Sequence, residues 1–178
     1  RLALIDLHMP EVDGIGLTRT EFLVENALQD EGAQYRAYAG LMEWAKGKPV
    51  TIRTFDAGGD KPVPGYTLDG EANPFLGMRG IRLSLKHADI FKVQLRAILR
   101  AATLGPVKVM LPMVTSADDL ERSRTLLESC HAELAAAGVI HAMPELGIMV
   151  EVPAVAMAPE RFAAAFYSIG SNDLTQYA

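Results

Sequence analysis

Four charged side chains stand where apolar, strand-like runs end, and their types say what they could do together. Arg19 follows Gly14-Ile15-Gly16-Leu17-Thr18, and Arg53 lies within Thr51-Ile52-Arg53-Thr54-Phe55-Asp56. Glu151 lies within Met149-Val150-Glu151-Val152-Pro153, and Asp173 follows Ser168-Ile169-Gly170-Ser171-Asn172. A guanidinium offers a planar fork of donors that matches phosphate or carboxylate oxygens in pairs and stays charged in a cleft. Glu151 and Asp173 could supply the one or two carboxylates that Mg2+ takes from protein, leaving its other positions to water and substrate oxygens. Arginines beside paired carboxylates describe a phosphoryl-transfer centre better than an acid/base hydrolase. The competing structural explanation pairs Arg19 with Glu21, and Arg53 with Asp56 or Glu151, as buried salt bridges that orient the sheet.

These residues need a scaffold that brings strand ends together. Gly14 to Leu17, Val50 to Phe55, Val107 to Met113, Leu146 to Val152 and Phe166 to Ile169 are short apolar runs with little polar alternation, the pattern of buried parallel strands. Between them Tyr35, Tyr38, Met42 and Ala45 recur at helical spacing, as do Ile90, Val93, Ala97 and Ala101, and as do Leu120, Leu127, Cys130 and Leu134. Gly47 and Pro49 end the first of these helices, Asp89 can cap the second, and Gly105-Pro106 stops it. Ser116 with Asp119 has the spacing of a capping box for the third, which Gly138 closes. Repeated strand-helix units leave two architectures open, a doubly wound sheet or an arc of a (β/α)8 barrel. In both, ligands bind at the C-terminal ends of the strands, where all four charges stand. The irregular stretch from Asp56 to Gly77 contains Gly58-Gly59-Asp60-Lys61 and is too long for a plain connector, which predicts a functional loop.

Composition narrows the class. A chain of 178 residues with 49% hydrophobic residues can bury one substantial core, and one domain is expected over residues 1–178. A formal charge of −5 and a pI near 5.4 argue against a nucleic-acid surface, so any bound anion must be caught by a local cluster of cations. The single Cys130 cannot form an internal disulfide and sits on an apolar helix stripe. No apolar run approaches the roughly 18 residues of a membrane span, and no leader-like segment opens the chain, so no membrane insertion and a cytoplasmic setting are expected.

Five stretches in order carry a resemblance. They are Asp13 to Phe22 (DGIGLTRTEF), Arg53 to Lys61 (RTFDAGGDK), Asn73 to Gly77 (NPFLG), Gly147 to Pro153 (GIMVEVP) and Ser168 to Tyr177 (SIGSNDLTQY). Together they resemble the PEP-binding domain of enzyme I, the phosphoenolpyruvate-protein phosphotransferase family of the bacterial sugar phosphotransferase system. The resemblance implies an α/β fold, a partial TIM (β/α)8 barrel of about strands 2 to 6, that binds phosphoenolpyruvate (PEP) and Mg2+ at its C-terminal rim. It further implies that Arg19 and Arg53 grip the PEP phosphate, that Asn172 hydrogen-bonds it, and that Lys61 and Arg79 are additional positive groups near the substrate. Glu151 and Asp173 would ligate Mg2+. The intact protein would be a homodimer that passes the phosphoryl group to an enzyme histidine and on to a phosphocarrier protein.

The same resemblance predicts a fragment, with the first and last two barrel strands outside it. The family's proton-donating cysteine, in a Gly-x-Cys-Gly-Glu setting, would lie outside too, as would its acceptor histidine. None of His8, His87, His131 and His141 has the acceptor context, and all four read as exposed or minor structural residues. Pyruvate phosphate dikinase and PEP synthase share the barrel, but the Gly58-Gly59-Asp60-Lys61 stretch is closer to enzyme I and favours a protein acceptor. A non-catalytic scaffold that keeps the rim is the alternative of a different class. A short match of Leu4 to Gly14 to the phosphoacceptor loop of receiver domains, with Asp6 as acceptor, lacks the upstream acidic pair such a domain needs.

Overall fold

In the three central strands of the sheet, alternate residues turn an apolar face to the helices and a mixed face the other way. The computed structural model describes residues 15–22, 27–58, 63, 66–67 and 76–177. Five strands run as β1 (Ile15–Arg19), β2 (Val50–Arg53), β3 (Val107–Leu111), β4 (Glu145–Val150) and β5 (Tyr167–Ile169). Between and after them lie α1 (Glu31–Ala45), α2 (Ile81–Lys86), α3 (Ala88–Ala101), α4 (Ala117–Ala136), α5 (Pro153–Met157) and α6 (Ser171–Gln176). The sheet order is β1-β2-β3-β4-β5 and every neighbouring pair is parallel. A doubly wound sheet needs a point where strand order reverses. No such reversal occurs among the described strands, as expected when right-handed crossovers carry the helices to one face. The fold is an arc of a (β/α)8 barrel.

Val50, Ile52, Val109, Leu111 and Ile148 point outward into the main core, where Phe91, Leu95 and Ile98 of α3 and Leu120, Leu127 and Cys130 of α4 meet them. Cys130 is fully buried, and burial pushes its thiol up to about 11, so it is a packing residue. Helices α1, α3 and α4 pack in sequence. Their outer seams carry Glu31 bridging Arg96 and Arg100, each at 2.7 Å, and Glu133 paired with Lys92 and Arg96. Burial opposes ionisation of Glu31, but its hydrogen bonds from Arg96 and Arg100 outweigh it and hold the carboxyl below its usual value. No helix among the described residues is long and apolar enough to cross a membrane.

The expected strands are all present, but β5 is not buried as its apolar run implies, since Tyr167 and Ile169 are exposed, and several strands end earlier than their apolar runs. Phe55, Met113 and Val152 stay buried beyond the last ladder residue, because the rim itself is packed. One cap expectation is corrected. Asp89 lies inside the first turn of α3, and the N-cap is His87, which also terminates α2. With one residue serving both helix ends, no extended position remains at residue 89, and Asp89 acts only as a negative charge near the positive end of the helix dipole.

The box at the start of α4 forms as the spacing requires. Ser116 Oγ accepts from the Asp119 N–H at 3.2 Å, and Asp119 Oδ2 accepts from the N–H of Thr115 and of Ser116, both at 2.9 Å, and from Thr115 Oγ1 at 2.8 Å. Ser116→Ala should therefore lower stability by about 1 kcal/mol, as loss of an N-cap usually does. Asp119→Ala, which strips three donors of their acceptor, should cost more. Chemical denaturation of both variants checks the order, and an equal or reversed cost would show that the box is not what starts α4.

Candidate active site

Arg53 ends β2 with its side chain on the face opposite Ile52, and the parallel register sets it beside Arg19 of β1 and Met110 of β3. The next residue of that row is Gly147 of β4. A Cβ at Gly147 would fall 2.5 Å from the Phe166 ring, so the aromatic floor of the site requires glycine there. Above this floor the charges are linked. Arg53 Nη2 lies 2.5 Å from Glu21 Oε1 and 3.2 Å from Asp56 Oδ2, and Arg53 Nη1 faces Met149 Sδ at 3.8 Å. Asp56 also accepts from Arg79, Nε to Oδ1 at 3.1 Å and Nη2 to Oδ2 at 3.2 Å. Arg79 Nη2 is in turn 3.1 Å from Asp173 Oδ1. Glu21, Arg53, Asp56, Arg79 and Asp173 thus form a chain of alternating charge from the β1 end to the β5 end of the arc. Its middle is dry: Arg53 is 3%, Asp56 1% and Arg79 2% exposed.

Arg79 reaches this chain because the backbone around it is tightly seated. Gly58 has φ 108°, and a Cβ on it would lie 2.6 Å from the Met78 carbonyl oxygen. The Gly80 N–H donates to Ala57 O at 3.1 Å, and the Ile81 N–H to Pro112 O at 3.2 Å. Two glycines therefore let the chain after β2 return close enough to present Arg79 to Asp56.

Glu151 sits just past the end of β4 with no exposed surface. Its Oε1 accepts from the Met113 N–H at 2.7 Å, where Met113 itself holds a left-handed backbone, φ 58°. Its Oε2 is buried without a hydrogen-bond partner among the described residues. Burial pushes the carboxyl up to about 7, aided by the charges of Asp56 and Asp173 and opposed by the Met113 N–H and Arg53. The Gly170 backbone presses against it, since a Cβ there would lie 2.9 Å from Oε2.

A cleft of about 430 Å³ opens beside these groups, lined by Arg19, Arg53, Met149, Ser171, Asn172 and Asp173 among others. Arg19 is half-buried and makes no ion pair among the described residues, so the pairing with Glu21 that sequence alone allowed is not formed. Glu21 turns to Arg53 instead. The Arg53 to Asp56 bridge does form, so part of the purely structural explanation is true of Arg53. Asn172 and Asp173, in the first turn of α6, reach the cleft wall. Lys61, the Asn73-Pro74-Phe75 motif, His8 and Asp6 lie outside the described residues. His131 and His141 hydrogen-bond each other at 2.8 Å on the outer surface, and His87 lies against Tyr66, all away from the cleft. Glu21 and Asp56 were expected only as neutralising partners. Asp56 is the hub of the chain, and the clue to it is its place three residues after Arg53 on the same rim.

The described part of the site holds three guanidiniums, of Arg19, Arg53 and Arg79, against four carboxylates, of Glu21, Asp56, Glu151 and Asp173. An excess of oxygen acceptors with one buried carboxylate oxygen unpartnered suits a hard divalent cation. No cluster of three or more histidine, cysteine or acidic ligands occurs among the described residues, which is compatible with an ion that takes only two carboxylates from protein.

The family model described as "PEP-utilising enzyme, PEP-binding domain" matches residues 6–178. The chain belongs to that family. It is 50% identical over 173 residues to the phosphoenolpyruvate-protein phosphotransferase of Haloferax volcanii, a match that covers 93% of this chain and 31% of that protein. It is 48% identical over 170 residues to the multiphosphoryl transfer protein of Rhodobacter capsulatus, covering 93% and 20%. It is 45% identical over 170 residues to the phosphoenolpyruvate-protein phosphotransferase of Latilactobacillus sakei, covering 93% and 30%. The chain spans a third or less of the length of these relatives.

The state of Glu151 has a consequence for stability. Its carboxyl titrates near 7 in the fold against an ordinary 4.5. The folded protein holds that proton more tightly, so the contribution of Glu151 is fully present below pH 4.5 and is lost as pH rises through about 7. Metal-free Glu151→Gln should therefore melt above the wild type at about pH 8, with the gap closing toward about pH 5. Thermal melts in chelator at the two pH values check this, and a pH-independent difference would show that the buried charge is not its cause.

Proposed function

We propose that this chain forms the PEP site of a phosphoenolpyruvate-protein phosphotransferase. The observation that carries the reading is the pairing of Arg19 and Arg53 on adjacent strand ends, facing one cleft with Asp173 on its wall and Glu151 beside it. In this reading the two guanidiniums take the phosphate oxygens by paired hydrogen bonds, Arg19 with its fork open to the cleft and Arg53 held from behind by Glu21 and Asp56. Asn172 donates to a further phosphate oxygen. Arg79, seated on Asp56 and Asp173, raises the local positive potential without leaving its carboxylates, and Lys61, which follows β2 in the sequence, is the further positive group of this reading. Mg2+, when bound by Glu151 and Asp173, supplies neutralisation of the oxygens of the substrate. The dry surroundings of Arg53 and Glu151 strengthen each of these contacts relative to water.

The names of the relatives favour a protein over a nucleotide as phosphoryl acceptor. The proposed sequence is transfer of the PEP phosphoryl group to an enzyme histidine and from there to a phosphocarrier protein, in a cytoplasmic homodimer. Phosphoryl transfer asks a protein mainly to position and neutralise, and the arrangement of forks and carboxylates at this rim is suited to that.

Two measurements test the reading in the full-length protein. PEP binding followed by calorimetry should require Mg2+ and be lost in Glu151→Gln and in Asp173→Asn; unchanged affinity in both would remove the metal assignment. Arg19→Lys and Arg53→Lys, which keep charge but lose the fork, should each lower turnover by about 100-fold or more while the protein stays folded. If each variant instead melts early and keeps activity in proportion to its folded fraction, the arginines are structural.

A further inference from the structure

Gln94 is an amide on the apolar face of α3, one helical turn after Ile90, and it is fully buried. Its Oε1 accepts from the Phe55 N–H at 3.1 Å, and its Nε2 donates to Thr20 Oγ1 and to Tyr38 Oη, each at 3.1 Å. A peptide N–H can only donate, so the contact with Phe55 fixes which end of the amide is oxygen. Everything beyond then runs in one sense. Thr20 Oγ1 donates its proton to Arg53 O at 2.9 Å, and Tyr38 Oη donates to Gln34 Oε1 at 3.2 Å. Gln34 Nε2 ends the chain on the carbonyls of Ala27 and Leu28, at 3.0 and 3.1 Å. Burial holds the Tyr38 phenol well above its usual value, so it remains a neutral donor. Thr20, Gln34 and Tyr38 are fully buried as well.

The groups that this amide reaches are those that set the two arginines. Thr20 directly follows Arg19. The Arg53 carbonyl and the Phe55 N–H are main-chain groups on the C-terminal side of the Arg53 side chain, at the point where β2 leaves the sheet. The last backbone bond to a neighbouring strand there is from the Thr54 N–H to Met110 O, 2.9 Å. Beyond it, Gln94 and Thr20 take the places that a strand would occupy.

We propose that Gln94 is a positioning residue for the anion site, holding Arg19 and Arg53 in mutual register through Thr20 and the Phe55 peptide. The proposal rests on the reading that these arginines bind the PEP phosphate. A purely structural glutamine would affect how much protein folds. A positioning glutamine affects how well the folded protein binds.

The test is calorimetric PEP affinity, with Mg2+, of full-length Gln94→Met, a near-isosteric change without donors or acceptors, beside Arg53→Lys. Folded Gln94→Met should bind PEP about tenfold or more weakly, the scale of one lost buried hydrogen bond. Its turnover at saturating PEP should fall by less than its affinity. Wild-type affinity in folded Gln94→Met, with binding lost in Arg53→Lys, overturns the proposal and leaves the site intact. Wild-type affinity in Arg53→Lys instead overturns the reading of the site and the proposal with it. Should Gln94→Met fail to fold, Thr20→Val carries the same expectation, and unchanged PEP affinity in that variant overturns it.

Discussion

Everything at the rim depends on Asp56 serving two guanidiniums at once. Removing an ion from water costs several kcal/mol unless a partner in good geometry replaces the water, and Arg53, Asp56 and Arg79 are all removed from it. Each carboxylate oxygen of Asp56 meets Arg79, and one also meets Arg53. That sharing decides the rest. The chain after β2 must come back as far as residue 79, which is why Gly58 and Gly80 stand where side chains would collide. The end of β2 must keep its direction after leaving the ladder, which is where the Gln94 amide acts.

Glu151 runs against this economy. It is as buried as Arg53, yet one of its oxygens has no described partner and its carboxyl is pushed toward neutrality. A fold selected for stability alone would place an amide or an apolar residue there. Keeping a carboxylate beside Met113, whose backbone is left-handed, and under Gly170 is a cost concentrated at one point, as at sites that trade stability for function.

Much of this was legible in the chain, for a physical reason. A charge interrupting an apolar run is costly enough to need a purpose, so Arg19, Arg53, Glu151 and Asp173 stood out, as did the strands that carry them, although β5 is more exposed than its run implies. The apolar runs alone do not choose between an open sheet and a barrel arc, because both architectures produce them; the resemblance carried by the five motifs points to the barrel, and the strand order bears it out. The pairing of charges was not legible. Glu21 is near Arg19 in sequence, but the register of β1 on β2 sets the end of β1 beside Arg53, and Glu21 pairs there instead. Gln94 carried no signal at all: one amide in an apolar helix stripe means nothing until the groups opposite it are known.

The strictly sequential strand order has a mechanical meaning. Arg19 belongs to the first strand and Asp173 follows the fifth, so the span of the cleft is the accumulated result of four strand-to-strand junctions. A slight change in the tilt at each junction adds up across the arc. The helices that pack against the strands lie on the other side of the sheet from the cleft, tied at their seams by Glu31 and Glu133. The width of the cleft is therefore sensitive to packing behind the sheet, at residues that do not line it.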